Sequence, residues 1–351
     1  MSLATLTQLA DFDTVIDARS PAEFVDDHLP GAISCPVLDD AERAEVGTLY
    51  KQVSPFDARK LGAVLVARNI ARHVEQLFAD KPRDWRPLVY CWRGGQRSGA
   101  FTHVLREIGW KAARLAGGYK TWRAHVIESN EALPARLRFE VIAGPTGSAK
   151  SRLLDALADA GEQVLHLERL AAHKGSVLGD LPGEPQPSQR RFESLLCAAM
   201  QGFDPARPVY VESESRRIGR VHLPGALIER MRAAPCHVVD APAAERARYL
   251  VTDYDYATAD TAWLLARLDA LRELHSRETL AHWQALVEGR AFNALATELL
   301  ERHYDPLYRR SQRENFAQAS AHPPLLASTL DADGIAALAA AVRIRAVPPP
   351  L

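Results

Sequence analysis

Two short stretches hold residue types whose chemistry depends on where the backbone places them. In Cys91-Trp92-Arg93-Gly94-Gly95-Gln96-Arg97-Ser98-Gly99, a cysteine precedes a glycine pair flanked by two arginines. A turn of this composition after a strand directs successive backbone N–H groups inward as an anion nest. The helix expected to follow adds the positive end of its dipole. In that setting Cys91 is expected to react as a thiolate, with Arg93 and Arg97 adding positive charge. The cradle from Trp92 through Gly94, Gly95 and Gln96 to Arg97 would also stabilise a persulfide or perselenide carried on the cysteine. The second stretch is Gly144-Pro145-Thr146-Gly147-Ser148-Ala149-Lys150-Ser151. It has the spacing of a phosphate loop, with Ala149 replacing the usual last glycine. Backbone amides from Gly147 to Ser151 would wrap a diphosphate at a helix N-terminus. Lys150 would balance its charge, and Ser151 is placed to hold Mg²⁺ if a metal is used. Glu212 and Glu214 close an apolar run and are ambiguous acidic partners for such a metal. A diphosphate cradle needs no γ-phosphate, so nucleotide hydrolysis does not follow.

Both loops need a strand before them and a helix after them, and the flanking pattern supplies these. TVIDA (14–18), PLVYC (87–91) and AARLAGG (112–118) read as short strands, with Ser20 as a helix N-cap. The stretch RSGAFTHVLREIG (97–109) reads as the helix leaving the cysteine loop. A connecting helix, TWRAHVIESNEALPARLR (121–138), ends near Pro134. A second set of strands follows at 138–144, 162–168, 207–213 and 235–241, with the helix SRLLDALADAG after the phosphate loop. Strands alternating with helices predict α/β architecture with parallel sheets. From Ala257 onward the periodicity is helical, and the closing VPPPL reads as a frayed tail. The expected organisation is therefore 1–127, a connector at 128–137, a phosphate-loop α/β domain at 138–256 and a helical region at 257–351.

Composition narrows the function classes. The 351 residues carry a formal net charge of −1, so no global field favours nucleic acid. Hydrophobic residues at 47% and charged residues at 25% are those of a globular chain. Of 43 basic residues, seven are lysine and 36 arginine, which we read mainly as coding bias. Four separated cysteines without a CxxC pair fit a reducing cytoplasm and argue against a thiolate zinc site. No metal site and no tightly bound cofactor are expected. Neither a membrane span nor a secretory signal is expected, and the expected location is cytoplasmic.

Weaker candidates for phosphate or RNA contact are His173, Lys174 and Gly175 in HKGSVLG. The arginine clusters Arg190/Arg191 and Arg216/Arg217/Arg220 join them. The tyrosines of YDPLYRR (304–310), beside arginines, have the composition for stacking on bases, but core packing is the expected use.

IDARSPAEFVDDHLPGA (16–32), the CWRGGQRSG loop and LAGGYKTW (115–122) together resemble the rhodanese domain. That domain fused to a phosphate loop resembles the bacterial tRNA 2-selenouridine synthase family. ERAEVGTLYKQ, HKGSVLG, PSQRRFES and VESESRRIG extend the likeness to about Pro306. The resemblance implies a transferase acting on tRNA at wobble 2-thiouridine. The sulfur is geranylated from geranyl diphosphate, and the S-geranyl group is then replaced by selenium from selenophosphate. It implies that Cys91 carries the chalcogen. Two alternatives stay open at this point: a persulfide sulfurtransferase with a phosphate-loop NTPase domain, and a non-catalytic phosphate-sensing adaptor.

Overall fold

The computed structural model describes residues 3–315 and 321–346, so the VPPPL tail lies outside the described residues. The chain forms two units. One comprises Met1–Ser129 with Arg190–Ala198, the other Asn130–Gln189 with Ala199–Leu351. Nothing in the local sequence of residues 190–198 announces that they pack with the first unit, because that placement is a matter of long-range contacts.

The strands of the first unit are β1 (Leu3–Ala4), β2 (Thr14–Asp17), β3 (Ala32–Ser34), β4 (Pro87–Tyr90) and β5 (Ala113–Leu115). They form one parallel sheet in the order β1-β5-β4-β2-β3. β4 is central and wholly buried, so it is apolar on both faces, as parallel strands between layers must be. Val89 packs with Ile16, Phe101 and Leu105 on one face. Leu88 and Tyr90 pack with Leu115, Tyr119 and Trp122 on the other. β1 and β3 are too short to show a period, and the sequence reading did not include them. The expected N-cap at Ser20 opens the helix Pro21–Asp26, and its N–H donates to the Glu23 carboxylate at 3.1 Å.

The second unit contains β6 (Arg138–Ala143), β7 (Gln163–Leu165), β8 (Pro208–Glu212), β9 (Arg217–Ile218), β10 (Val221–His222), β11 (Cys236–Asp240) and β12 (Leu325–Leu326). Its main sheet is parallel, in the order β12-β11-β6-β8-β7, and β9 and β10 form a separate antiparallel pair. The phosphate loop leaves the end of the middle strand β6, where connections run to opposite sides and open a crevice. The helix Lys150–Asp159 buries Leu153, Leu154 and Leu157 against this sheet, each stabilising the fold by roughly 1.5–3 kcal/mol.

The region from residue 257, expected to be helical, does contain the helices Thr261–Asp269, Arg277–Glu288 and Phe292–Leu299. It also corrects that expectation. Leu325–Leu326 adds an edge strand beside β11, and the helix Ala332–Ala346 packs into the core of the phosphate-loop unit. A two-residue strand has no periodicity to read.

Candidate functional site

In the first unit, Cys91 follows β4 directly and the helix Gln96–Glu107 starts five residues later. Gly94 has φ +65°, a conformation natural to glycine. Gly118, at φ +62°, lies so close that a side chain there would meet the Cys91 carbonyl and the Gly94 nitrogen. The LAGGYKTW stretch therefore closes over the loop, with the Tyr119 N–H donating to the Cys91 carbonyl at 2.8 Å and the Lys120 N–H to that of Trp92 at 3.0 Å.

Cys91 is 3% exposed, and its Sγ lies 3.1 Å from the Ser98 hydroxyl. Ser98 was not among the expected cradle residues, although it stands one turn into the helix and faces the thiol. Arg97 is oriented elsewhere than expected. Its guanidinium binds Glu23 at 2.7 Å, so its charge is shared with a carboxylate. Burial pushes the Glu23 carboxyl up, but Arg97, the Ser20 N–H and Arg43 together hold it below the usual range. Arg93, Gly95 and Gln96 are exposed, while Trp92 and Gly94 are half-buried.

Beneath the loop lies a buried polar frame. Arg19 pairs with Asp17 at 2.6 Å, donates to the Asp27 carbonyl at 2.5 Å and stacks its guanidinium 3.9 Å from the Tyr119 ring centre. The Tyr90 hydroxyl donates to Asp17 at 2.6 Å. Asp27 accepts from Tyr119 at 2.9 Å and from Ser194 at 2.8 Å. Arg190 pairs with Asp26 at 2.8 Å, and Arg191 donates to the His28 carbonyl at 3.1 Å. The PSQRRFES stretch thus spends these groups on the first unit.

In the second unit, the phosphate loop is braced from outside itself. Arg246 donates to the Thr146 carbonyl at 3.0 Å and forms a two-point pair with Asp305, both contacts at 2.8 Å. Ala149 adopts the left-handed conformation at φ 57°, which explains why glycine is usual at that position. Gly144 passes so close to Ser148 that a side chain would collide with its hydroxyl. Lys150 folds back to the Gly144 carbonyl at 3.0 Å, and Ser151 donates to Glu168 at 2.9 Å.

Glu168 is the acidic residue at Ser151, and sequence spacing did not single it out. Its own N–H donates to Glu212 at 2.7 Å. Burial, then the charge of Glu168, pushes the Glu212 carboxyl up to about 8. Burial and the charges of Glu168 and Glu212 likewise raise Glu214 well above its ordinary value.

The loop opens on a cavity of about 340 Å³ whose walls include Thr146, Lys150, Ser151, Lys174, Glu214 and Tyr304. Lys174 is held by Asp253 at 2.6 Å. His173 is buried, accepts the Gly175 N–H at 3.0 Å and lies 3.6 Å from Asp180, which makes it a brace of its own loop. Arg216 and Arg217 are exposed. A second, apolar cavity adjoins the first. Thr146, Ser176, Leu250, Tyr254 and Tyr304 wall both, and Leu264, Phe292, Leu295 and Leu299 line only the apolar one. Tyr304 is half-buried and packs against the neighbouring core clusters, as expected of it.

The rhodanese-like domain family matches residues 2–125, and the tRNA 2-selenouridine synthase AAA domain matches residues 137–267. The tRNA 2-selenouridine synthase of Aeromonas salmonicida is 35% identical over 323 residues, covering 84% of this chain and 86% of its own. The chain belongs to the tRNA 2-selenouridine synthase family. The enzyme of that name from Nitrosomonas europaea is 38% identical over 258 residues, 72% of this chain and 66% of its own length. Among solved structures, a rhodanese-related protein of Thermoplasma volcanium is 17% identical, covering 36% of this chain and 93% of its own, with a TM-score of 0.24. The family's two domains coincide with the two loops described above, and this chain is an enzyme of that family. Among the described residues, no helix is long and apolar enough to cross a membrane.

Proposed function

We propose that this protein converts 2-thiouridine at the tRNA wobble position to 2-selenouridine through an S-geranyl intermediate. Geranyl diphosphate and selenophosphate are the donors, and the phosphate loop and the cysteine loop serve successive steps. The observation that supports this most is the shared wall between the phosphate cavity and the apolar cavity. A diphosphate joined to a hydrocarbon chain needs such a pair, whereas a nucleotide needs no aliphatic cavity adjoining its phosphates.

The chemistry divides accordingly. Diphosphate leaves carbon readily when its developing charge is stabilised, and Lys150 with the loop amides is placed for that. A thiocarbonyl sulfur leaves poorly, but a geranylthiolate leaves well once selenium has attacked carbon 2 of the base. Cys91, in a tight loop at a helix N-terminus, suits a step that handles a soft chalcogen nucleophile.

Two variants test the division. Lys150→Ala should abolish geranylation of 2-thiouridine tRNA, and selenation from that tRNA with it, yet retain selenation of tRNA supplied already geranylated. Cys91→Ser should do the reverse, accumulating geranylated tRNA without forming 2-selenouridine. Nucleoside mass spectrometry reads both, with circular dichroism checking that each variant folds. Failure of pre-geranylated tRNA to rescue a folded Lys150→Ala protein would overturn the two-site assignment, as would normal 2-selenouridine formation by Cys91→Ser.

A further inference from the structure

We infer that Tyr254 and Tyr304 are catalytic residues of the prenyl-transfer step, stabilising positive charge on the allylic carbons with their ring faces. The inference rests on the geranyl diphosphate reading above and adds to it the groups that meet the reacting carbon. If the diphosphate sits at Lys150 and the hydrocarbon lies in the apolar cavity, the carbon–oxygen bond between them must cross the common wall. That wall consists of Thr146, Ser176, Leu250, Tyr254 and Tyr304. Among these only the two tyrosines carry an aromatic ring, whose face attracts a cation.

Both rings are held by packing. Tyr254 and Tyr304 lie against the apolar cluster that includes Leu264, Leu268, Trp283 and Leu299. Tyr254 lies 5.7 Å from the Tyr256 ring centre, and Tyr304 meets the His303 ring edge-on at 4.7 Å. Tyr304 is also the last residue of a π-helical turn, Leu300–Tyr304, an insertion that breaks the α-helical phase between Phe292–Leu299 and Asp305–Asn315. Such turns recur at functional sites because the extra residue redirects side chains. Tyr254 already receives a cation, since the Lys174 ammonium lies 4.3 Å from its ring centre. Asp253, at 2.6 Å, neutralises that ammonium, so the ring can share in stabilising a second, transient charge.

The step balances without any further reactant. The bond between carbon 1 and the bridging oxygen breaks, and its electron pair leaves with diphosphate. A sulfur lone pair of 2-thiouridine forms the new carbon–sulfur bond, and the N3 proton of the base passes to the released diphosphate, which is basic enough to hold it at neutral pH. Positive charge spreads over carbons 1 and 3 while the first bond lengthens faster than the second forms.

Tyr254→Leu and Tyr304→Leu should each lower the single-turnover rate of geranylation by about thirtyfold, the size of a desolvated cation–π contact. Tyr254→Phe and Tyr304→Phe should stay within about threefold of the parent. Affinity for the unreactive geranyl thiolodiphosphate, measured by calorimetry, should barely change in any of them. Selenation of pre-geranylated tRNA should also be retained. Independently of any variant, the parent enzyme should geranylate with 2-fluorogeranyl diphosphate slower by roughly a factor of ten or more, because fluorine destabilises the allylic cation.

Equal rates with the fluorinated donor would overturn the proposal. So would leucine variants whose loss appears entirely in analogue affinity, or phenylalanine variants that fall as far as leucine ones. Absence of any S-geranyl product from the parent enzyme would instead overturn the geranyl diphosphate reading itself.

Discussion

At the scale of single residues, charge and burial reassign several roles. Arg97 follows the cysteine loop in sequence, yet its fork finds Glu23 at 2.7 Å, and Ser98 is the group at the thiol. Beside the phosphate loop, the carboxyls of Glu212 and Glu214 are raised by burial and by Glu168. The rise disfavours negative charge on both, which lessens their repulsion of a bound diphosphate. This has a measurable consequence for Glu212. Its carboxyl moves from an ordinary value near 4.5 to about 8 in the folded chain, so the folded state binds the extra proton in that window. Stability must then fall as pH rises, with the penalty complete above about pH 8. Glu212→Gln keeps an acceptor for the Glu168 N–H and removes the titration. Its melting temperature should decline less than the parent's between about pH 6 and pH 9, and should exceed the parent's at the upper end. Parallel melting curves would show that Glu212 is not the titrating group.

At the scale of elements, the phosphate loop departs from its usual pattern at one place, and the cost is identifiable. Ala149 is buried at φ 57° in the turn entering the helix Lys150–Asp159. An L-residue there costs about 1–2 kcal/mol, against about 0.8 kcal/mol for burying its methyl group. Ala149→Gly should therefore stabilise the protein by up to about 1 kcal/mol in chemical denaturation. A clear loss of stability would mean that the methyl's packing in the core outweighs the backbone strain. The same loop depends on Arg246 and Asp305, residues more than ninety positions downstream. A phosphate loop's spacing is a local property, but what holds it in place is not.

At the scale of the whole molecule, a net charge of −1 leaves RNA binding to local arginines. Arg190 pairs with Asp26 and Arg191 donates to the His28 carbonyl; Arg216 and Arg217 are exposed at the β9–β10 pair, where Arg217 also donates to the Gly219 carbonyl at 2.6 Å. Replacing Arg216 and Arg217 with alanine should weaken tRNA binding and reduce the log–log salt slope by about two. An unchanged slope would return the pair to an ordinary solvated surface. Much was legible in the sequence because it is local: strand, turn and helix periods, the glycine pair in the cysteine loop, and the spacing of Lys150 and Ser151. Those features set the α/β class and both loops, since each depends on neighbours a few residues away. The rest needed the folded chain. Ser151 meets Glu168, residues 190–198 join the first unit, Leu325–Leu326 borders β11, and Tyr254 and Tyr304 wall two cavities at once. Each of these brings together groups far apart in sequence, and only the burial of a common core selects such pairs.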